Sequence, residues 1–265
     1  MAELVIRPMT RAEVALALDL AAAEGWNPGL DDADAFHAAD PGGFLMGFLG
    51  EEPVGCISVV RYPPGFAFLG LYIVRPPWRG QGHGLALWRA GLARAPGCNV
   101  GLDGVVAQQA NYRRSGFALA HRNVRWGGSA AGEAPVDPRL VPVTPELLAP
   151  IVAYDRQLFP APRAAFLHAW LDPRARSGRA FVEDGAVRGY GVVRPCREGH
   201  KIGPLFADSP DIADVLFRAL AAEAGGGPLY LDVPEPNRAA IALAERHGLA
   251  PVFETARMYT KGDPG

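Results

Sequence analysis

Two kinds of hydrophobic pattern alternate along the chain: short apolar runs typical of strands, and longer stretches with apolar residues three or four positions apart, typical of helices. Turn residues at 50–53 and at 184–186 separate pairs of apolar runs, which predicts a β-hairpin in each half. In the first half the predicted elements are a strand at 4–8, a helix at 11–23, strands at 44–49, 54–60 and 68–74, a helix at 85–95, a strand at 100–105, a short helix ending at Gly116 and a final strand.

The second half repeats this order. Its predicted elements are a strand at 140–142, a helix at 145–158, strands at 179–183, 187–193 and 201–206, a helix at 211–224, a strand at 229–233, a short helix ending at Gly248 and a final strand. A Leu-Asp pair lies in the last strand before each short helix, at Asp103 and at Asp232. The spacing from the glycine that ends each short helix to a late arginine, Arg125 or Arg257, is also the same.

This repetition predicts two tandem domains of the α/β (α+β) class, each a mixed sheet with helices on its faces. The stretch 127–135 has no hydrophobic period and is interpreted as a linker, so that the domains cover 1–127 and 136–265. A single large α/β domain with chance internal similarity is the alternative.

Composition narrows the possible functions. An apolar fraction of 49% is enough for real cores, and a net charge of −2 without a visible basic patch argues against nucleic acid as a partner. The longest apolar run, 66–74, is shorter than the roughly 20 residues that cross a bilayer, so no membrane association is expected. No signal peptide is expected, and three widely spaced cysteines indicate neither a disulfide framework nor a metal site, which favours the cytoplasm.

A glycine-rich loop lies between the predicted strand at 68–74 and the helix at 85–95. It reads Arg79, Gly80, Gln81, Gly82, His83, Gly84. Glycines at alternate positions let the backbone pass close to a ligand, and the amides at a helix N-terminus bind anions. The loop therefore predicts a site for a pyrophosphate, to which Arg79 would add positive charge.

Other phosphate-binding loops fit this stretch less well. A Walker loop requires Gly-Lys-Ser or Gly-Lys-Thr, which is absent. A dinucleotide fingerprint requires a further glycine where this chain has Leu87, although Asp103 lies at about the distance expected for a ribose contact. A flexible strand-to-helix turn is the purely structural interpretation, and the arginine with the alternating glycines favours the phosphate site.

The loop resembles that of the Gcn5-related N-acetyltransferase (GNAT) superfamily, which has Arg or Gln, two residues, Gly, one residue, then Gly or Ala. Arg79, Gly82 and Gly84 match it, and residues 71–78 resemble the family's strand and lead-in. The resemblance implies acetyl-CoA as cosubstrate, without a metal. Backbone groups near Ile73 and Val74 would hold its acetyl and pantetheine portions. The whole chain resembles a tandem subfamily with a second, divergent acetyltransferase-like domain.

A tyrosine four residues before a Gly-Phe pair is part of the same family motif, and Tyr112 has that spacing. The resemblance implies that Tyr112 is the acid that protonates the departing thiolate. Packing of the ring on the sheet is the alternative. The family often has an Asn seven residues earlier, where this chain has Val105, so Asn111 or Gln108 would have to substitute for it.

The general base and the acceptor site are less well defined by the sequence. Asp103, at the end of a strand, is a candidate for base or amine binding, or merely a strand-terminating carboxylate. Trp26, Asn27 and Asp31 lie between the first helices, where members of the family often line the acceptor site. Trp26 could equally be a core or lid aromatic, and a water chain could deprotonate the amine.

The second half lacks the glycine loop. Ser209 is a good N-cap for the helix there, while Asp208 and Asp211 would repel a pyrophosphate. Ala244 stands where alignment would place the counterpart of Tyr112. This half is therefore expected to bind little or no acetyl-CoA.

Three polar residues near the end of a strand in the second half are candidates for acceptor contacts: Asp232, Glu235 and Asn237. A purely structural partner domain is the alternative. The resulting hypothesis is an acetyl-CoA-dependent N-acetyltransferase for a small primary amine, acting by direct attack in a ternary complex. A CoA-binding sensor without turnover and a protein acetyltransferase are the alternatives.

Overall fold

The computed structural model describes residues 3–129 and 132–264, which form two compact units. The first unit contains residues 3–120, 161–166 and 257–264, and the second contains 121–129, 132–160 and 167–256. The predicted boundaries are 1–127 and 136–265; by contacts, residues 121–127 of the first half lie in the second unit, and residues 161–166 and 257–264 of the second half lie in the first.

In the first unit the elements are β1 (Leu4–Pro8), α1 (Arg11–Ala23), α2 (Asp32–Ala39), β2 (Phe44–Leu49), β3 (Glu52–Tyr62), β4 (Phe66–Val74), α3 (His83–Leu92), β5 (Asn99–Val105) and α4 (Gln109–Arg114). The strands pair in the order β1-β2-β3-β4-β5, antiparallel except for the parallel pair β4–β5. Buried residues of α1 pack with Met46, Cys56 and Ile73 in a core on one face of the sheet. Helix α3 packs on the opposite face, where a Cβ on Gly91 would lie 3.0 Å from Ile57 Cδ1.

The remaining elements are β6 (Ala118–Ser129), β7 (Leu140–Pro142), α5 (Leu148–Asp155), α6 (Ala164–Trp170), β8 (Ser177–Glu183), β9 (Ala186–Pro195), β10 (His200–Ala207), α7 (Pro210–Glu223), β11 (Pro228–Pro234), α8 (Arg238–Arg246) and β12 (Ala250–Tyr259). The second unit's strands pair in the order β6-β11-β10-β9-β8-β7. Its core lies between this sheet and the helices α7 and α8 and includes Ile202, Phe217, Leu231 and Leu243.

Most predicted elements are present, with corrections at the helices. The helix predicted at 145–158 is a 3₁₀ turn, Pro145–Leu147, followed by the shorter α5. Helices α2 and α6 were not predicted, because eight and seven residues are too few for a clear amphipathic period. Local caps behave as expected at Thr10, which forms a capping box with Glu13, and at Ser209, whose Oγ accepts from Ile212 N at 3.3 Å.

The interpretation of 127–135 as a linker is wrong for its first three residues, which are part of β6. Gly127 lies opposite Tyr230 of β11, and a Cβ there would come within 2.9 Å of the tyrosine ring. The glycines permit close packing on this strand and carry no hydrophobic side chain, which is why no strand period was visible. Residues 130 and 131 lie outside the described part of the chain.

The final segments of the two halves are exchanged between the units. Residues 123–129 of β6 pair with β11 in the second unit. Residues 257–264 belong to the first unit, where Thr260 N donates to Val100 O (3.1 Å) and Asn99 Nδ2 donates to Gly262 O (2.8 Å). Each half therefore supplies its last strand residues to the other unit.

Candidate functional site

Strand β4 is irregular at its centre, and this irregularity opens the sheet. Cys56 of β3 is paired with Ile73 and Ser58 with Gly70, so β4 has one extra residue between these positions. Leu71 has a φ of 47°, which is uncommon for a residue with a side chain and marks a β-bulge. The parallel pairing with β5 ends at Leu69, although β4 continues to Val74. Backbone groups of residues 71–74 thus face a gap between the two strands.

The glycine loop leads from β4 into α3. Gly80 and Gly82 have φ values of 76° and 86°, in the left-handed region that favours glycine, and a Cβ on either would meet open space. The first backbone hydrogen bond of α3 runs from Ala86 N to Gly82 O (3.2 Å), so the amides of residues 83–85 point out of the helix N-terminus. Open space beside unbonded amides at the positive end of a helix is suited to a phosphate group.

The side chains of the loop hold its own shape. Arg79 Nε donates to Val74 O (2.7 Å), and its Nη2 is paired with the carboxylate of Glu24 at the end of α1. Gln81 Nε2 donates to Pro77 O (2.9 Å). His83 is half-buried, and its ring packs edge-on against that of Trp78 at a centroid distance of 6.2 Å. Arg79 is therefore engaged by protein groups, and part of its charge is offset by Glu24.

Tyr112 lies on α4 and faces the same side of the sheet as α3. It is buried, and its ring stacks on Trp88 of α3 with centroids 5.7 Å apart. Burial raises the pKa of the Tyr112 hydroxyl to about 12, and the neighbouring Tyr72 adds to the effect. The hydroxyl is consequently protonated throughout the neutral range and can donate a hydrogen bond.

Tyr72 of β4 is a residue of this site that the sequence interpretation did not single out. Its ring lies 5.2 Å from that of Trp88, and its hydroxyl lies 2.8 Å from the position that a Cβ on Gly84 would occupy. Strand alternation was the available signal, because it places Tyr72 on the same face as Val74. Two tyrosines therefore flank Trp88 on the α3 face.

Asp103 is held by an arginine from the distant end of the chain. Arg257 Nε and Nη2 each donate to one oxygen of the Asp103 carboxylate at 2.7 Å. Arg257 also donates to Tyr259 Oη (3.2 Å) and lies over the ring of Phe68. Both carboxylate oxygens thus accept from one guanidinium, an arrangement typical of a structural ion pair.

The predicted acceptor residues of the first unit lie around the start of α2. Trp26 packs against the core formed by α1 and α2, and Asn27 has a left-handed φ of 49°. Asp31 is exposed at the N-cap of α2. The buried acid here is instead Asp32, 1% exposed, whose Oδ2 accepts from Gly29 N at 2.9 Å.

The polar residues predicted in the second unit have local partners. Asp232 is bound by Arg125 through Nε–Oδ1 (2.7 Å) and Nη2–Oδ2 (3.0 Å), a counterpart of the Asp103–Arg257 pair. Asn237 caps α8, its Oδ1 accepting from Ala240 N at 3.0 Å. Glu235 is exposed, and its backbone amide donates to Arg122 O.

The second unit has no counterpart of the glycine loop in its described residues. Helix α7 begins at Pro210 behind the Ser209 cap, and Asp208 accepts a hydrogen bond from Tyr154 Oη (2.7 Å). Ala244 of α8 is buried in the core. The chemistry of the first unit is therefore not repeated at this position.

A row of polar residues, of which Lys201 is buried, crosses the face of the second unit's sheet opposite α7 and α8. Lys201 of β10 is directly opposite Arg194 of β9, and the Asp232–Arg125 pair lies on the next two strands. Burial, with repulsion from Arg125 and Arg194, lowers the pKa of Lys201 to about 8. Arg194 also lies over the Trp170 ring at 4.5 Å.

Two absences concern the described residues, 3–129 and 132–264. No group of three or more His, Cys, Asp or Glu side chains among them is placed to hold a metal ion. No helix among them is long and apolar enough to cross a membrane.

Comparison with known proteins agrees with this geometry. Residues 12–117 match the acetyltransferase (GNAT) family, and residues 151–264 match an acetyltransferase (GNAT) domain. The chain is 30% identical over 259 residues to holothin acyltransferase of Pseudoalteromonas sp. (strain SANK 73390). The matched region covers 97% of this chain and 88% of that protein.

Solved structures of other proteins share the fold. A Pyrococcus horikoshii protein described as an acetyltransferase has a TM-score of 0.77 and 24% identity, covering 97% of this chain and 88% of that one. A tandem GNAT protein from the clavulanic acid biosynthesis pathway has a TM-score of 0.67 and 17% identity, covering 99% of both chains. The predicted family and fold class are confirmed: the chain belongs to the GCN5-related N-acetyltransferase superfamily and is an acyltransferase with two such domains in tandem.

Proposed function

We propose that the first unit transfers an acetyl group from acetyl-CoA to a primary amine of a small molecule, by direct attack in a ternary complex. The supporting observation is that the gap beside residues 71–74, the glycine loop at the start of α3 and the buried Tyr112 all belong to one unit. The open space at Gly80 and Gly82 fits a pyrophosphate, which the backbone amides of residues 80–84 would hold.

Arg79 would act mainly on the loop itself. Its bonds to Val74 O and Glu24 tie the loop to β4 and α1, so we assign it a positioning role. Backbone groups near Ile73 and Val74 would hold the acetyl and pantetheine portions, and an amide aimed at the acetyl oxygen would stabilise negative charge there. Gln81 and His83 would contribute through their backbone amides.

Acetyl-CoA supplies a thioester, whose acetyl group passes to the amine and whose sulfur leaves as a thiolate. In the net reaction the amine loses one proton and the sulfur gains one. A phenol with a pKa of about 12 is a much weaker acid than a thiol, whose pKa is roughly 8.5. Tyr112 is therefore best assigned as a hydrogen-bond donor to the leaving sulfur, with the amine as the ultimate source of the proton.

Asp103 is assigned a positioning role, because both of its carboxylate oxygens accept from Arg257. Water reaching the cleft, or the exposed Asp31, would then accept the proton of the amine. Trp26 and Asn27 remain proposed acceptor contacts. Asp232, Glu235 and Asn237 have structural partners, so the second unit is proposed to act as a partner domain that binds little or no acetyl-CoA.

The acceptor class is supported by the name of the relative, which states acylation of holothin. Cys56, Cys98 and Cys196 are thiols and form no disulfide among the described residues, which supports a reducing compartment, and the cytoplasm is the proposed location. The first experiment is release of free CoA from acetyl-CoA across a panel of small amines, with mass detection of the acetylated product. Binding of acetyl-CoA without turnover on any amine would favour a sensor, and turnover only on proteins would favour a protein acetyltransferase.

Tyr112→Phe should lower kcat by roughly 10²-fold while leaving the Kd for acetyl-CoA nearly unchanged, because the hydroxyl acts on charge that develops only at the leaving sulfur. Tyr62→Phe is the matched control, since Tyr62 packs against the core of α1 and α2 on the opposite face. Unchanged turnover in Tyr112→Phe would remove Tyr112 from the proposed chemistry.

A further inference from the structure

Tyr72 occupies a defined place between β4 and α3. It follows the bulge residue Leu71, and its neighbour Ile73 faces the core of α1 and α2. Tyr72 therefore faces α3, where its ring lies 5.2 Å from Trp88. Trp88 in turn stacks on Tyr112 at 5.7 Å, so one indole separates the two phenols.

The hydroxyl of Tyr72 reaches the first turn of α3. A Cβ built on Gly84 would lie 2.8 Å from Tyr72 Oη, 3.2 Å from Val74 Cγ2 and 3.7 Å from Tyr72 Cζ. Gly84 has no left-handed φ, in contrast to Gly80 and Gly82. Glycine is therefore required at position 84 because a larger side chain would collide with Tyr72, and the backbone conformation does not demand it. The tyrosine hydroxyl fills the room that an alanine side chain would take.

This position places a hydroxyl beside Gly84, in the first turn of α3. The amides of residues 83–85 precede the first backbone bond of the helix, Ala86 N to Gly82 O. Burial raises the pKa of Tyr72, which keeps its hydroxyl protonated as a donor. A phosphate held by these amides is negatively charged, and hydrogen bonds to charged groups are the stronger ones.

We propose that Tyr72 is a ligand of the pyrophosphate of acetyl-CoA, its hydroxyl donating to a phosphate oxygen beside the amides of the first turn of α3, and that this role requires glycine at position 84. The proposal rests on the proposed function of the first unit. It adds a side-chain donor to a site otherwise formed by backbone groups, and it couples one position on β4 to one on α3.

The direct test is the Kd of Tyr72→Phe for CoA and for adenosine 3′-phosphate 5′-diphosphate, measured by isothermal titration calorimetry. Loss of one hydrogen bond to a charged group should raise the Kd for both ligands by about tenfold or more. Tyr62→Phe, on the opposite face, is the control and should leave both Kd values unchanged. An unchanged Kd for CoA in Tyr72→Phe would overturn the proposal. Weaker binding of CoA with unchanged binding of the nucleotide would also overturn it, because the hydroxyl would then contact the pantetheine arm.

A second test uses the coupling of positions 72 and 84. Gly84→Ala should lower the Tm and weaken the binding of CoA, because the new methyl group would lie 2.8 Å from Tyr72 Oη. In the Tyr72→Phe background the nearest ring atom would be at 3.7 Å, so the alanine should cost clearly less stability there. An equal loss of Tm in both backgrounds would refute the steric coupling. If the parent chain binds no CoA, the proposed function fails, whereas the Tm comparison still tests this contact.

Discussion

Replacing Lys201 with methionine should stabilise the protein at neutral pH. Lys201 is 6% exposed, and the groups that act on its charge are Arg125 of β6, Arg194 of β9, Asp232 of β11 and Cys196. Burial and the two arginines outweigh Asp232 and Cys196, and they lower the pKa of Lys201 from 10.5 to about 8. Since one pKa unit corresponds to about 1.4 kcal/mol, keeping this ammonium charged in the folded state costs about 3 kcal/mol.

The direction with pH follows from where each state loses the proton. The unfolded chain keeps Lys201 protonated up to a pH near 10.5, whereas the folded chain releases the proton near pH 8. Between these values the unfolded state binds more protons, so stability should rise with pH. Below pH 8 the full penalty is present. Methionine has a stem of similar length and no charge, so its advantage should be up to about 3 kcal/mol at pH 7 and should fade by pH 10.5.

The assay is urea unfolding of the parent and of Lys201→Met at several pH values from 7 to 10.5, compared as differences in unfolding free energy. Lys261→Met is the exposed control and should show little change. Lys201→Arg keeps its charge over this range, so it should lose the rise in stability with pH. A Lys201→Met variant that is less stable than the parent at pH 7, or whose advantage does not shrink above pH 8, would show that attraction to Asp232 outweighs burial and repulsion.

Three further outcomes are expected. Gly82→Ala should lose most of its affinity for acetyl-CoA in calorimetry but only about 1 kcal/mol of stability, because an alanine at a φ of 86° distorts the loop locally. Gly97→Ala, with a φ of 72° outside the loop, is the control, and an equal loss of binding in both variants would contradict this prediction. Arg257→Met should lower unfolding free energy by about 2 kcal/mol by removing both bonds to Asp103, and an unchanged Tm would refute the pair's structural role. Glu24→Gln should raise the KM for acetyl-CoA only a few-fold, since this pair with Arg79 is solvent-exposed; a large loss of kcat would contradict a positioning role.

The glycine loop of the first unit and the position of Tyr112 on a short helix were predictable from local sequence. The loop that starts at Arg79 and the spacing of Tyr112 lie on single strand–helix segments, where a few neighbouring residues determine the backbone. Strand alternation could also have indicated that Tyr72 lies on the α3 face, but its contact with Gly84 depends on how closely the helix packs on the strand. That distance is a tertiary property.

The interpretation was incomplete where partners are far apart in the chain. Asp103 was a candidate base until Arg257, 154 residues away, proved to hold both of its oxygens. The equal spacing to Arg125 and Arg257 was visible in the sequence, but the exchange that brings each arginine to the aspartate of the opposite half was not. Lys201 likewise was an ordinary strand residue until its register with Arg194 placed cations side by side.

Sequence alone therefore determined the order of elements, the duplication, the glycine loop and the family, because these depend on hydrophobic period, turn chemistry and short motifs that act within a few residues. Tertiary structure alone decided which strand ends complete which unit, which carboxylates are neutralised and where Tyr72 meets Gly84. Strand pairing and ion pairing join residues of any separation, and a β-strand exposes the same backbone donors and acceptors whichever neighbour it meets. The choice among neighbours is made by packing of the whole fold.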